Sequence, residues 1–135
     1  MTLGVRVAAF NDADEVLLVR HTYIEGWHLP GGAVERGESV GAAARKELQE
    51  EAHIVPKDDG ALTLFAVYKN EIMSRFDHVV LFVLQGSNQT APKLPDSEIE
   101  EARFFACDAL PEGTTEPTRR RLVEIAGRTA PRALW

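Results

Sequence analysis

Apolar residues along the chain fall into short runs that predict β-strands, interrupted by two segments that favour helices. Residues 3–10 and 15–20 are apolar and β-branched, and residues 11–14 between them (Asn-Asp-Ala-Asp) have turn chemistry. These two runs predict a β-hairpin. Residues 27–30 predict a short extended segment that ends at a pair of glycines.

A helix is predicted over residues 39–52. Ser39 is a good N-cap, several Ala and Glu residues follow it, and Pro56 lies just beyond the end. Residues 61–69 and 77–85 then predict two more strands, because both runs are apolar and rich in β-branched residues.

The last third of the chain continues the alternation of strands and helices. Residues 86–98 carry two prolines, an Asn and a Gly, which predict a mobile surface loop. Residues 102–106 predict a strand, and residues 116–127 predict a second helix that starts beside Pro117 and ends at Gly127. Strands interleaved with two well-separated helices predict an α/β or α+β layered domain.

Composition and charge narrow the class of protein. The 135 residues are 44% hydrophobic and 27% charged, as in a globular protein with one core, so residues 1–135 are expected to form a single domain. The formal net charge of −6 argues against a nucleic-acid duplex as partner, because a phosphate backbone attracts a surface rich in Lys and Arg. An acidic protein that handles phosphates needs local positive charge, which bound cations can supply.

The single cysteine and the hydropathy of the chain predict a cytoplasmic protein. With Cys107 alone, no intramolecular disulfide can form, and a reducing compartment fits. The neighbouring residues 104–106 predict that this thiol is buried at the end of a strand. No apolar run approaches the ~18 residues of a membrane span, and the N-terminus lacks the apolar segment of a signal peptide, so no membrane partner is expected.

Three carboxylates are predicted to share one face of the first helix. Glu47, Glu50 and Glu51 are spaced i, i+3 and i+4, which places them within about 100° of one another around the helix axis. Like charges at this spacing destabilise a helix, and a hard divalent cation such as Mg²⁺ compensates because it prefers oxygen ligands. The alternative is an ordinary solvated Glu-rich face.

The segment that precedes the helix favours the metal-binding interpretation. Gly31, Gly32 and Gly37 let the backbone turn sharply and approach a ligand closely. Glu38 lies just before the N-cap, where a negative charge suits the helix dipole. Loop and helix together predict a site where a metal ion links the acidic protein to an anionic diphosphate.

The same segment resembles the signature of the Nudix family. That signature is a Gly, five residues, a Glu, seven residues, Arg-Glu, an aliphatic residue, any residue, Glu-Glu, any residue, Gly and an aliphatic residue. Here Gly32 and Glu38 are followed by residues 46–54, Lys-Glu-Leu-Gln-Glu-Glu-Ala-His-Ile, so that every spacing matches and seven of nine specified positions agree. Residues 27–32 also resemble the strand and loop that enter the signature in this family.

The resemblance implies a mixed β-sheet between helices, an α/β/α sandwich with the signature as loop, helix and loop over the active site. It implies Mg²⁺, or Mn²⁺, bound by Glu51, Glu50 and Glu47, with the backbone carbonyl of Gly31 as a further ligand. The expected reaction is hydrolysis of a diphosphate bond in a nucleoside triphosphate, or in a nucleoside diphosphate linked to another moiety. The alternative is a sensor domain that binds a nucleotide without cutting it.

Further residues are expected at this site. A carboxylate must remove the proton of the attacking water, and the resemblance leaves Glu47, Glu98 and Glu101 as candidates. The partner is a small nucleotide-type molecule, and a homodimer is left open. The residues expected to contact the substrate are Gly32, Glu38, His78, Glu98 and Glu101.

Two positions depart from the signature. Lys46 stands where the family has an Arg that orients the helix carboxylates; it keeps the charge but loses the bidentate fork, so a weaker orienting role in catalysis is expected. His53 stands where the family has a Gly with left-handed backbone. His is among the residue types enriched in that conformation, so a left-handed helix end is still expected at His53.

Most of the remaining aromatic and basic residues are expected to have structural or surface roles. His21 and His28 are expected in the core or on the surface, and the basic run 119–121 is expected on a solvated helix face. Tyr68 could either stack on a base or pack in the core.

Overall fold

The structure, a computed structural model, describes residues 1–71 and 77–135. Within these ranges the chain forms seven strands and two α-helices, with a short 3₁₀ helix before the fifth strand. In chain order they are β1 (Thr2–Ala9), β2 (Glu15–His21), β3 (Trp27–His28), β4 (Gly31–Ala33), α1 (Val40–Ala52), the 3₁₀ helix (Asp59–Ala61), β5 (Leu62–Asn70), β6 (Asp77–Leu84), β7 (Ile99–Ala106) and α2 (Glu116–Ile125).

The strands form two sheets. In the first, the order is β4-β1-β6-β5, with β1 and β6 parallel and the other pairs antiparallel. In the second, β2 lies between β3 and β7 and both pairs are antiparallel. A mixed sheet with helices confirms the predicted fold class.

The predicted hairpin of the first two strands is wrong. β1 and β2 join through the single bridge Phe10–Val16 and then enter different sheets. The turn is as predicted, because the Asn11 side chain accepts hydrogen bonds from the amides of Ala13 and Glu15. The strands diverge because both edges of β1 are already paired, one with β4 and the other with β6.

Two apolar cores hold the layers together, one on each side of the sheets. The buried residues of the core under α1 are Val5, Val7, Ala9, Leu17, Val19, Ala43, Ala44, Leu48, Ala52, Ile54, Val80, Phe82, Leu84, Ile99 and Ala102. The buried residues of the core under α2 are Ala8, Phe10, Val16, Leu18, Trp27, Leu29, Tyr68, Leu81 and Leu122. Successive residues of β1 and β2 alternate between the two cores, as strand geometry requires, and the result is a helix–sheet–helix sandwich.

α1 begins and ends as the sequence predicts. The Ser39 hydroxyl accepts a hydrogen bond from the amide of Ala42 at 3.1 Å, which satisfies one of the free amides of the first turn. His53 has φ 55° and ψ 38°, and its amide donates to the carbonyl of Gln49. The expected left-handed conformation at His53 is confirmed.

α2 buries a charged cluster where a solvated face was predicted. Arg121 is 0% exposed and donates from Nη2 to Glu124 at 3.1 Å. The Tyr68 hydroxyl donates to the same carboxylate at 2.7 Å. The guanidinium carbon also lies 5.0 Å from the ring centre of Trp135, so the C-terminal residues cover this part of the helix. The prediction for Arg121 was wrong because that cover comes from a distant segment.

Other expectations for the surface are partly corrected. Cys107 is exposed, not buried, because it lies one residue beyond β7, where the alternation of the strand has ended. In the segment 86–98, Gln89 donates from Nε2 to the carbonyls of Ala52 and Ala102, both at 3.1 Å, and so links this loop to α1 and β7. Neither helix in the described ranges is long and apolar enough to cross a membrane.

Candidate active site

Glu51 is a carboxylate that the periodicity of α1 places in the core. Ala44, Leu48 and Glu51 are spaced by one helical turn and lie on the face that packs against the sheets. Glu51 is only 5% exposed. Its Oε1 accepts a hydrogen bond from the Gly31 amide at 3.0 Å, and its Oε2 lies 3.3 Å from Nε2 of His21. Both oxygens therefore have polar partners, which a buried carboxylate requires.

Gly31 and Gly32 allow close approach between β4 and its neighbours. A Cβ atom at Gly31 would overlap the carbonyl oxygen of Val5 on β1, and a Cβ atom at Gly32 would lie 2.6 Å from Oε1 of Glu47. A side chain at either position would therefore displace a neighbour. The two glycines bring the backbone of the loop against the carboxylates of α1, the close approach that the sequence predicts.

Glu47 is half-buried one turn before Glu51. Burial raises the pKa of Glu47 to about 7, and the negative charges of Glu51, Glu50 and Glu98 act in the same direction, whereas Lys46 opposes them. This carboxyl therefore holds a proton more readily than an exposed glutamate does. A group in that condition can take up a proton readily, which is the property of a general base.

The three predicted metal ligands are neighbours on α1 without converging on one point. Glu50 is exposed, and Glu51 has both oxygens engaged by Gly31 and His21. Within residues 1–71 and 77–135, no three His, Cys, Asp or Glu side chains form a group that could hold a metal ion as they stand. Metal binding by all three carboxylates together would need Glu47 or Glu50 to rotate toward Glu51.

Lys46 makes its ion pairs with the loop before α1. Its Nζ lies 3.0 Å from Glu38 and 3.8 Å from Glu35. The Glu35 amide, which donates to Glu38 at 2.8 Å, and Lys46 both lower the pKa of Glu38. These contacts fasten the loop to the helix, and they differ from the expected role of Lys46 in orienting the helix carboxylates.

The predicted site residues from the second half of the chain, Glu98, Glu101 and His78, lie in different surroundings. Glu98 is exposed, and its charge contributes to the raised pKa of Glu47. Glu101 lies 3.1 Å from Arg20 and 3.1 Å from Arg103 on the exposed face of β7. His78 lies on β6 opposite Leu3 of β1, and its Nδ1 is buried with no hydrogen-bond partner in the described part of the chain.

Comparison with known proteins settles the family. The NUDIX domain model matches residues 1–124. The chain belongs to the Nudix family. It is similar to the ADP-ribose pyrophosphatase of Methanocaldococcus jannaschii, with 32% identity over 84 residues that make up 62% of this chain and 48% of that protein. It is also similar to the 8-oxo-dGDP phosphatase of Mus musculus, with 28% identity over 127 residues, 92% of this chain and 38% of that protein.

A solved Nudix structure is similar over almost the whole fold. The MutT NUDIX hydrolase from Burkholderia pseudomallei aligns with a TM-score of 0.75 and 25% identity, covering 92% of this chain and 97% of that one. The two relatives named above are longer proteins, and this Nudix chain spans less than half the length of each.

Two polar residues at the candidate site were not predicted from the sequence. Arg6 projects from β1, is partly buried, and donates from Nη1 to the carbonyl of Leu29 at 2.7 Å. Burial lowers the pKa of Arg6, while the nearby charge of Glu51 offsets part of that effect. The signal for Arg6 was an arginine between Val5 and Val7 in an otherwise apolar strand.

His21 is the second residue that sequence reasoning missed. It was expected to be structural, and it touches Glu51 directly. The rings of Tyr23 and His28 pack against it edge-on, with centroids at 5.4 Å and 5.6 Å. No local pattern signals this contact, because His21 and Glu51 are 30 residues apart.

A cavity in the described part of the chain lies away from α1. It has a volume of about 620 Å³ and is bounded by α2, the end of β7 and the turn after β1. None of the predicted site residues lines it.

Proposed function

We propose that this Nudix protein is a Mg²⁺-dependent pyrophosphohydrolase, able to use Mn²⁺, that cleaves a diphosphate bond in a small nucleotide-type substrate. One observation carries the proposal: Glu47 and Glu51 of α1 lie against the backbone of Gly31 and Gly32. Membership of the Nudix family supports it, as do the relatives named as a pyrophosphatase and a nucleotide phosphatase.

The donor atoms at this site suit a hard divalent cation. A cation here would meet only oxygen ligands, which Mg²⁺ prefers. They would come from Glu50, Glu51 and the carbonyl of Gly31. Glu47 would be a further ligand unless it acts as the base. The negative charges of Glu51 and Glu50 help to raise the pKa of Glu47, and a bound cation would relieve that repulsion. When bound, the metal would neutralise phosphate charge and lower the pKa of a coordinated water.

Glu47 is the best placed of the three candidate bases. Burial is the largest cause of its raised pKa and would persist after a cation relieved the repulsion from Glu51 and Glu50, so Glu47 stays more basic than an exposed carboxylate. Glu101 is held by Arg20 and Arg103, so its oxygens are already engaged, and Glu98 is exposed. We assign to Glu47 the removal of the proton from the attacking water.

The substrate class is a nucleoside triphosphate or a nucleoside diphosphate linked to another moiety. The substrates in the names of the two relatives, 8-oxo-dGDP and ADP-ribose, are both nucleosides carrying a diphosphate. Gly32, beside Glu47, is the loop residue best placed to meet such a diphosphate. Glu38 is engaged by Lys46 and the Glu35 amide, so its role is to hold the loop in place.

The test is a panel of nucleoside triphosphates, ADP-ribose, 8-oxo-dGDP and dinucleoside polyphosphates, each incubated with Mg²⁺ in ¹⁸O-labelled water. Mass spectrometry of the products identifies the bond that is cut and the phosphorus that takes up the label. We expect hydrolysis that stops with excess chelator and returns with Mg²⁺ or Mn²⁺. Undiminished turnover in chelator would overturn the metal-dependent mechanism, and tight binding without turnover would instead support the nucleotide sensor.

A pair of variants tests the choice of base. Glu47→Gln should lower kcat by about 10²- to 10⁴-fold, the range for loss of a general base. Glu101→Gln removes a carboxylate of the same size from the exposed face of β7. Equal losses in both variants would refute the assignment of the base to Glu47.

We also propose that residues 1–135 act as one domain. The family match ends at residue 124, yet the segment beyond it is packed on the fold. The Lys69 amide donates to the carbonyl of Ala133 at 2.8 Å, and the Trp135 amide donates to the carbonyl of Lys69 at 3.0 Å. Limited proteolysis that leaves the segment attached would support one unit; rapid loss of it would contradict this. A homodimer and a cytoplasmic location stay predictions.

A further inference from the structure

His21 reaches the proposed active site from a different sheet than the glycine loop. Leu17 and Val19 of β2 face the core under α1, and His21 is the next residue of that alternation. A β-bulge between Arg20 and His21 shifts the pairing with β7 at this point, a device that can redirect a side chain. The end of β2 therefore presents an imidazole to α1.

The imidazole meets the buried carboxylate of Glu51. Nε2 of His21 lies 3.3 Å from Oε2 of Glu51, and the two side chains are only 4% and 7% exposed. When Glu51 is ionised its carboxylate can only accept, and the imidazole donates in the tautomer that carries the proton on Nε2. Since the other oxygen of Glu51 accepts from the Gly31 amide at 3.0 Å, β2 and β4 each hold one oxygen of a side chain that comes from α1.

The remainder of the His21 ring is held by packing. Nδ1 is buried and has no hydrogen-bond partner among residues 1–71 and 77–135. The rings of Tyr23 and His28 contact it edge-on. An apolar side chain could fill this space equally well, and it would avoid a buried nitrogen without a partner. The bond to Glu51 is therefore what distinguishes a histidine here from an apolar residue.

Lys46, a cation on α1, does not hold the carboxylate of Glu51. Lys46 pairs with Glu38 and Glu35 on the loop, and its side chain is 31% exposed. The carboxylate of Glu51, in contrast, is enclosed by Gly31 and His21. The contacts on Glu51 that the structure shows thus come from a backbone amide and an imidazole.

We propose that His21 is a positioning residue for metal binding, which holds the carboxylate of Glu51 in the orientation that receives a divalent cation. This inference rests on the proposed function, because it takes Glu51 to be a metal ligand. Each carboxylate oxygen has two acceptor sites, so the bonds from Gly31 and His21 leave one site on each oxygen for a cation. Partners of this kind around a ligand typically contribute 10- to 100-fold in metal affinity.

The experiment measures Mn²⁺ binding to the full chain without substrate, by titration of the free-ion signal in electron paramagnetic resonance. His21→Gln and His21→Asn form a matched pair. The amide nitrogen of Gln takes the place of Nε2 and can still donate to Glu51, whereas the amide nitrogen of Asn takes the place of Nδ1 and is too short to do so. We expect His21→Asn to raise the Kd for Mn²⁺ by roughly 10- to 100-fold and His21→Gln to restore most of the affinity.

Thermal unfolding of the metal-free variants separates positioning from folding. Both amides replace the ring with a smaller side chain, so the packing loss in the metal-free core is similar, and any further fall in Tm of His21→Asn reports the lost hydrogen bond to Glu51. If both bind Mn²⁺ like the wild type, or if both lose affinity in step with a lowered Tm, the positioning role is overturned. If the wild type itself does not bind Mn²⁺, both the proposed function and this inference are overturned. If the wild type binds Mn²⁺ and the two variants do not differ as expected, only this inference is overturned.

Discussion

The Oε1 atom of Glu47 lies 2.6 Å from the position that a Cβ atom would take at Gly32. The absence of a side chain on the loop therefore determines where the carboxylate on the helix rests. Loop and helix meet at this point, and a single methyl group is enough to test whether their contact matters for activity.

Gly32→Ala should lower kcat while leaving the fold intact. The methyl group would displace the end of a flexible side chain, so the Glu47 carboxylate moves rather than the backbone. A displacement of about 1 Å at a catalytic group can cost on the order of 10²-fold in rate, which steady-state kinetics would measure. Gly41→Ala is the control, because a Cβ atom there meets nothing within 4 Å. Equal kcat values for the two variants would show that the Glu47 position is not critical.

Glu51→Gln should abolish most activity without unfolding the metal-free protein. The amide keeps an oxygen for the Gly31 amide, and the imidazole of His21 can meet the new NH₂ group in its other tautomer. Loss of a metal-binding charge should lower kcat on the order of 10³-fold. Gln49→Ala, at an exposed position of the same helix, should change neither kcat nor Tm by much. A Glu51→Gln chain that fails to fold would make this carboxylate structural.

The raised pKa of Glu47 predicts a pH dependence of stability in the metal-free protein. Because the folded-state pKa of about 7 exceeds the ordinary value of 4.5, folding favours the protonated carboxyl. This contribution is complete below pH 4.5 and is lost as pH rises through about 7.

The expected result is a Tm difference between Glu47→Gln and wild type that grows in favour of the variant from pH 5 to pH 8. Because Glu47 is only half-buried, solvent screening limits the effect to about 1 kcal/mol, or roughly 3 °C in Tm. Thermal melts in chelator at several pH values would measure it. A constant difference over this range would mean that Glu47 titrates normally in the folded chain.

Arg121→Met should destabilise the protein strongly. It would leave the carboxylate of Glu124 buried without its cation, and removal of one partner from a buried pair costs about 3–5 kcal/mol. For a chain of this length that corresponds to a fall in Tm of roughly 10–20 °C. Arg119→Met, on the exposed side of the same helix, should change stability by less than about 0.5 kcal/mol. Similar Tm values for both variants would restore the prediction of a solvated face.

Most elements and the chemistry of the signature could be predicted from local patterns. The cap at Ser39, the left-handed end at His53 and the spacing of Glu47 and Glu51 follow from bonds and angles within one helix. The glycines at 31 and 32 predict close backbone approach for a similar reason, since only a residue without Cβ fits there.

The errors concern contacts between segments that are distant in sequence. Whether β2 continues to pair with β1 depends on β4 and β6, which occupy both edges of β1. Whether Arg121 meets solvent depends on Trp135, which covers it. Neither outcome has a signal in the residues next to the element concerned.

The sequence by itself determined that this protein carries a helix with three acidic residues on one face behind a glycine loop, and hence that it resembles the Nudix family. Only the tertiary structure decided that Glu51 is buried with His21 and Gly31 on its two oxygens, while Glu50 is exposed and Lys46 turns to the loop. The physical reason is that helical periodicity is set by local backbone geometry. The partner of a buried side chain instead depends on which strands pack over it, and that packing depends on segments that are distant in sequence.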